Sequence, residues 1–343
     1  MSDDKAPAPA VSVCVIAFNS GPTLRACLQH LQAQSFRDFE TVVIDNASPD
    51  PDDAKIAAEF PFMRLVSNAE NLGFAGAGNQ AARLGRGRWL VLLNPDAYAE
   101  PDWLAELVAA AERHPQVRSF TSRQMMADAP GMLDGLGDVM SGYGIPYRGG
   151  YLERDTGQAF EGEVFSPCGA AMMIDRALFR RLGGFSEYFF CYCEDVDLGY
   201  RLQLAGEPTV LAPRAVVHHL GSASSGGRKS EFAVFHGTRN RFWVAFKNTP
   251  AILLPVVLPL HLAAVVFIAA RRPNWPYAAL VWRAFLEALK GLPRVLRDRA
   301  AVQRGRRVGA GAIVRAMTWD PRDLMGRRPV IRPLRPPTPP AGP

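Results

Sequence analysis

Apolar residues in the first half of the chain come in short dense runs, and between the runs they recur at helical spacing. Val11 to Phe18 (VSVCVIAF), Phe39 to Asp45 (FETVVID), Met63 to Ser67 and the run from Leu90 read as strands. Runs that are apolar on both alternating faces are those of strands buried on both sides of a parallel sheet. Thr23 to Gln34, Asp50 to Phe60, Ala75 to Leu84 and Pro101 to His114 read as helices, the last with Pro in its first turn. This alternation predicts an α/β fold with a doubly wound, mostly parallel sheet. Residues 128–165 are Gly-rich without periodicity and read as a mobile loop or hairpin over the site. Ser166 to Asp175 reads as a strand leading into the helix Arg176–Leu182. Glu194 to Ala205 reads as a helix ended by Gly206, and Thr209 to Leu211 and Ala215 to His219 as short strands.

The run LVLLNPD, Leu90 to Asp96, places a carboxylate at the carboxyl end of a buried strand, where open α/β sheets bind their ligands. Asn-Pro-Asp is equally ordinary turn chemistry when taken alone. Asp45 ends another strand, so Asp45 and Asp96 are expected to face one crevice. Glu194, Asp195 and Asp197 open a helix at the end that favours anions, and His218 and His219 follow the last strand. Such a set can hold a nucleoside and, through a divalent metal with few protein carboxylates, its diphosphate. No G-x-G-x-x-G follows the first strand, and Gly73 to Gly78 follows a loop, which argues against a dinucleotide fold.

Five cysteines without a disulfide or zinc spacing fit a reducing compartment. The N-terminus has no apolar signal region, so a cytoplasmic catalytic stage is expected. The net charge of +6 hides an asymmetry: residues 1–227 carry 18 Lys+Arg against 28 Asp+Glu, residues 228–307 carry 15 against 3, and residues 308–343 carry 6 against 2. The basic end suits an anionic partner. Ala251 to Ala270 is uncharged and about the length of a bilayer span. Pro255, Pro259 and His261 interrupt it, and basic residues flank both ends, which fits a single span poorly. Trp275 to Leu292 reads as amphipathic, and Arg294, Arg297, Arg299, Arg304, Arg306 and Arg307 follow it, suited to anionic lipid. The favoured division is a disordered stretch over 1–9, a catalytic domain over 10–248, a helical membrane-associating appendage over 249–310 and a Pro-rich disordered tail over 311–343. The appendage is expected to lie on or dip into the inner face of the cell membrane. The alternative is a helical pair packed on the catalytic domain or in a homo-oligomer interface. Nucleic acid is disfavoured, since the aromatic platform of single-strand binders is missing.

The stretches VSVCVIAFNS, VVIDNASPD, NAENLGFAGAGNQAA, VLLNPDA, EDVDLGYRLQLAG and VVHHLGSASS together resemble family 2 glycosyltransferases of the GT-A fold. The likeness is greatest to the rhamnosyltransferase-like branch that builds bacterial cell-surface polysaccharides, and it covers roughly residues 11–225. The resemblance implies that Phe18, Asn19, Asp45, Asn46 and Ser48 form a nucleotide-binding edge. It implies that Asn71, Gly73, Phe74 and Asn79 belong to a loop closing on nucleotide and diphosphate. Asn94-Pro95-Asp96 stands where the family has D-x-D, which leaves Asp96 as the main metal carboxylate. His219, rather than His218, matches the metal-side histidine, and the cation would be Mg²⁺ or Mn²⁺. Asp195 matches the catalytic base, with Glu194 and Asp197 as support or acceptor contacts; Arg201, at i+4, is expected to pair with Asp197.

The resemblance implies an inverting, metal-dependent enzyme. It would move a sugar from a nucleoside diphosphate, with dTDP-L-rhamnose as candidate donor, to a glycan or polyprenyl-diphosphate-linked acceptor. A nucleotidyltransferase and a non-catalytic sugar-nucleotide scaffold are the rival readings. A processive synthase is disfavoured, because residues 239–243 read RNRFW rather than Q-x-x-R-W.

Overall fold

The computed structural model describes residues 7–221, 230–270 and 275–334. The expectations made for residues 1–6, 222–225, Arg271, Arg272 and 335–343 lie outside the described residues. The first half alternates as its apolar runs dictate: β1 (Val11–Ala17), α1 (Pro22–Gln32), β2 (Phe39–Asp45), α2 (Asp52–Ala58), β3 (Met63–Ser67), α3 (Gly73–Leu84), β4 (Trp89–Leu93), β5 (Ala97–Ala99) and α4 (Trp103–Arg113). There follow β6 (Ser119–Met126), β7 (Leu133–Gly135), β8 (Asp138–Met140), β9 (Pro146–Arg148), β10 (Glu163–Val164), β11 (Ala171–Asp175), α5 (Arg176–Arg181), α6 (Glu194–Ala205) and β12 (Thr209–His219). The remainder is helical: α7 (Glu231–Asn248), α8 (Leu254–Ala270), α9 (Trp275–Lys290), α10 (Leu292–Arg304), α11 (Ala310–Ala316) and α12 (Pro321–Gly326).

Strands β4, β1, β2 and β3 lie side by side and parallel, β11 runs antiparallel between β4 and β6, and β12 is parallel to β6 in a ten-stranded sheet. Along β1, Val11, Val13, Val15 and Ala17 enter the core beneath α1, α2 and α4, while Cys14 and Ile16 enter the one beneath α3, α5 and α6. Side chains alternate faces along a strand, so a sheet covered on both sides needs apolar residues at every position. That requirement is why VSVCVIAF is continuous.

Two expectations change and a third is narrowed. Strand β6 reads SFTSRQMM, and its buried Ser119, Thr121, Ser122 and Gln124 concealed a central strand from its apolar pattern. Thr209 to His219 is one strand whose register shifts between Ala212 and Val216, around Pro213, which has no N–H for the ladder. Residues 128–165 take the hairpin rather than the mobile loop of the two expected alternatives: β8 pairs with β9, while β7 pairs with β6 and β10 with β12.

The C-terminal helices build onto the catalytic core rather than standing apart from it. Phe165, Val196 and Tyr200 share one buried cluster with Phe242, Trp243, Ala288, Val295, Ile313 and Met317, so packing runs straight across residue 248. The tail expected to be disordered from residue 311 is ordered through Leu334, because Ile313, Ala316 and Met317 fill that cluster. Arg332 exchanges backbone hydrogen bonds of 2.9 and 2.7 Å with Glu163, and Gly150 N–H donates to the Arg327 carbonyl at 2.7 Å. Among the described residues no single helix is long and apolar enough to cross a membrane, although α7 and residues 251–267 pass that test as a pair bent by 120°.

Candidate active site

At the carboxyl ends of β1 and β2 the backbone is fixed by short polar side chains. The buried Asp53 carboxylate accepts from Ser20 N–H at 2.9 Å, from Gly21 N–H at 2.6 Å and from the Ser48 hydroxyl at 2.9 Å. Ser48 Oγ accepts from Asn19 N–H at 3.0 Å, and Asp45 accepts from Ser48 N–H at 3.0 Å. Asn46, just past β2, donates to Asn71 Oδ1 at 2.8 Å and accepts from Leu72 N–H at 3.1 Å, holding the turn that opens α3. Gly73 in that turn has φ +67°, and a Cβ there would stand 2.4 Å from the Phe190 carbonyl oxygen, so only glycine lets the turn approach the 190 loop.

Asp96 and His219 meet at the end of β4. His219 Nε2 lies 3.3 Å from Asp96 Oδ1 and 3.4 Å from Asn94 Nδ2, while Nδ1 bonds Asp134 Oδ2 at 2.7 Å. All three groups are buried: Asp96 is 3 % exposed, His219 1 % and Asp134 0 %. Burial pulls the imidazole pKa down, but the hydrogen bonds to Asp134 and Asp96 outweigh it and leave the pKa raised. His218 points the other way along β12, to Glu100 at 3.1 Å, half exposed.

Helix α6 brings the second set of acids. The three residues Phe190, Tyr192 and Cys193 before it all have positive φ, 65°, 71° and 65°. Backbone of that kind persists only where its surroundings enforce it. Asn240 of α7 does so, donating to the carbonyls of Phe189, Cys191 and Tyr192 at 3.0, 2.9 and 2.7 Å. The loop delivers Asp195, whose carboxylate accepts from Gly169 N–H and Val196 N–H, each at 2.8 Å. Burial raises the Asp195 pKa, and those two N–H groups oppose the rise. Glu194 is buried with Oε2 lacking any hydrogen-bond partner among the described residues, and burial followed by the Asp195 charge drives its pKa well up. These groups line one cavity of about 730 Å³ that also touches Phe18, Asn71, Phe74 and Asp138.

Residues 12–183 match the family described as Glycosyl transferase family 2, about half of the chain. The chain belongs to that family. Over 326 residues it is 27% identical to N-acetylglucosaminyl-diphospho-decaprenol L-rhamnosyltransferase of Mycobacterium tuberculosis, covering 86% of this chain and 95% of the relative. A mannosyltransferase from Pyrobaculum calidifontis, solved with GDP-Man and Mn²⁺, superposes with TM-score 0.52 at 20% identity, over 92% of this chain and 89% of that one. GalNAc-T7, solved with UDP, GalNAc and Mn²⁺, gives TM-score 0.56 at 16% identity, over 71% and 48%. Both are GT-A-like neighbours of the fold.

Not every residue expected at the site of this family 2 transferase reaches the cavity. Phe18, Asn46, Asn71, Gly73, Phe74, Asn94, Asp96, Glu194, Asp195 and His219 line it. Asn19, Asp45 and Ser48 stand behind the cavity lining, in the hydrogen bonds around Asp53. Asn79 instead fixes the chain at Phe185, donating to its carbonyl at 2.9 Å and accepting from its N–H at 2.8 Å. Asp197 is turned away and fully buried between Lys247 and Arg201, 2.9 Å from each, with Asn248 donating at 2.8 Å. Burial alone would raise its pKa, but the two cations hold it far below the usual range. It is a structural ion paired with Arg201 as expected, which fits the supporting role expected for it and not the alternative of an acceptor contact. The site also holds groups absent from the motif stretches: Asp134 behind His219, Arg148 paired with Asp134, and Asp138 in the cavity wall. All three lie in the Gly-rich segment that was expected as a loop or hairpin over the site.

Proposed function

We propose that the chain is an inverting glycosyltransferase of bacterial cell-surface polysaccharide synthesis. It moves a sugar from a nucleoside diphosphate to a hydroxyl of a glycan or polyprenyl-diphosphate-linked acceptor. The observation that carries this reading is the placement of Asp96–His219 and of Asp195 on one cavity. One pair suits the departing diphosphate and the other group the incoming hydroxyl. Asp96 and His219 fit a divalent cation such as Mg²⁺ or Mn²⁺. They offer one oxygen and one nitrogen donor, and Asp134 holds the imidazole by its far nitrogen, as carboxylates do behind metal-bound histidines. A cation bound there would offset the charge developing on the diphosphate. Asp195 takes the acceptor's proton as its oxygen bonds to the anomeric carbon, while the bond from that carbon to the diphosphate oxygen breaks and its electron pair leaves with the nucleotide. Gly169 and Val196 N–H groups hold the Asp195 carboxylate in place for that step.

The first donor to test is dTDP-L-rhamnose, and the first acceptor an N-acetylglucosaminyl diphospho-polyprenol, which the mycobacterial relative's name carries. Protein, acceptor and a panel of nucleotide sugars are incubated with Mg²⁺ or Mn²⁺, and the released nucleotide is identified. Free nucleoside diphosphate together with sugar on the acceptor supports transfer. Pyrophosphate would point to a nucleotidyltransferase, and donor binding without turnover to a scaffold. Asp96→Ala and His219→Ala should both weaken donor binding in divalent cation and much less in EDTA. Wild-type donor affinity that is equal with and without EDTA would remove the cation from the mechanism.

A further inference from the structure

Strands β8 and β9 form an antiparallel pair in which Asp138 stands opposite Arg148, so both side chains project from the same face. Asp138 N–H donates to the Ser166 carbonyl at 2.9 Å and its carbonyl accepts from Ser166 N–H at 3.2 Å, which fixes the strand against the loop beneath Asp195. The Asp138 side chain lines the cavity at 5 % exposure and, among the described residues, makes no hydrogen bond or ion pair. One of its oxygens lies within 4.8 Å of an Asp195 oxygen and of the Cys168 sulfur. Buried polar groups are normally satisfied, and a carboxyl left open toward a cavity calls for a partner that arrives with a ligand. Glu194 Oε2 of the same cavity is buried without a hydrogen-bond partner among the described residues.

We propose that Asp138 binds a hydroxyl of the acceptor sugar next to the one that reacts, which makes β8–β9 the acceptor wall of the cavity. The inference rests on the transfer reading above. A carboxyl presents two oxygens to neighbouring hydroxyls of one ring, and the closeness to Asp195 sets the bound hydroxyl beside the reacting one. Burial and then the Asp195 charge push the Asp138 pKa up, and the Arg148 charge opposes the rise. A cation between Asp138, Cys168 and Asp195 is the competing use of the cluster. Mg²⁺ and Mn²⁺ prefer oxygen donors, so the Cys168 sulfur suits such a cation poorly.

Steady-state transfer by the full chain separates these uses. Asp138→Ala should raise the acceptor KM by at least about tenfold, the usual worth of a lost hydrogen bond at a buried polar site, with donor KM unchanged. Asp138→Asn, which keeps shape and a donor, should restore part of that loss, and its thermal melt shows whether the fold is intact. Unchanged acceptor KM in a folded Asp138→Asn and Asp138→Ala pair overturns the inference. A loss of Mn²⁺ dependence without a change in acceptor KM overturns it in favour of a cation. Wild-type protein that transfers no sugar to any acceptor would sink the transfer reading and this inference with it, whereas wild-type transfer with indifferent Asp138 variants sinks this inference alone.

Discussion

Asp195 and Asp197 are two residues apart on one helix turn and live under opposite conditions. Asp195 faces the cavity with its pKa raised chiefly by burial, and Asp197 is held charged by Lys247 and Arg201. Asp195→Asn should lower turnover by about 10²–10⁴-fold, the usual value of a general base, with donor affinity nearly unchanged. Asp195 works deprotonated, so transfer should fall as pH drops through its raised pKa. At saturating divalent cation the acid limb of kcat/KM should lie above the range of an ordinary aspartate, and a limb at the ordinary aspartate value would contradict the burial argument. At this scale the sequence was most legible where a motif fixes spacing, as in Asn94 to Asp96 and Glu194 to Asp195. It was silent on Asp134 and Asp138, because only the folded chain carries them to His219 and Asp195.

The elements around the site are held by buried polar contacts. Lys247 and Asn248 at the end of α7 meet Asp197 of α6, and Arg299 of α10 donates to the Phe246 and Thr249 carbonyls at 2.6 and 2.7 Å. Removing one member leaves the others charged and dry. Asp197→Ala should therefore destabilise the protein by about 3–5 kcal/mol, the range for breaking a buried ion pair. A denaturant melt checks it: a shift well under about 1 kcal/mol would mean water reaches Lys247 and Arg201. The parallel strands were legible because both faces of the sheet demand apolar residues. Strand β6 was not, since its polar side chains find partners inside, such as Ser122 accepting from Trp103 Nε1–H at 2.8 Å and Ser119 accepting from Thr209 at 3.0 Å.

Over the whole molecule, charge and exposed apolar surface coincide at the C-terminal helices. Ile252 (76 %), Val266 (68 %) and Trp282 (62 %) face outward in a region with 15 basic against 3 acidic residues over 228–307. Full-length protein is expected to sediment with vesicles containing anionic lipid, and the variant Ile252→Ser, Val266→Ser, Trp282→Ser to stay largely in solution. High salt should release only part of the wild type, because screening over about 8–10 Å weakens charge attraction but not apolar insertion. Protein that ignores such vesicles would return this face to an oligomer interface. The two-part charge pattern made the surface legible from sequence. The joint core did not show there, because Ile313 and Met317 pack in one cluster with Phe165 and Tyr200, more than a hundred positions earlier.

A residue far along the chain from the sheet reaches back to the cavity. Arg327 lies on the cavity wall, and Arg332 nearby in the sequence bonds Glu163 on β10. Synthesis runs from the N-terminus, and domains fold as their residues emerge. The parallel sheet can therefore form on the ribosome while the pocket it supports stays open on one side. That side is completed only once Arg327 has emerged, well after the last strand of the sheet.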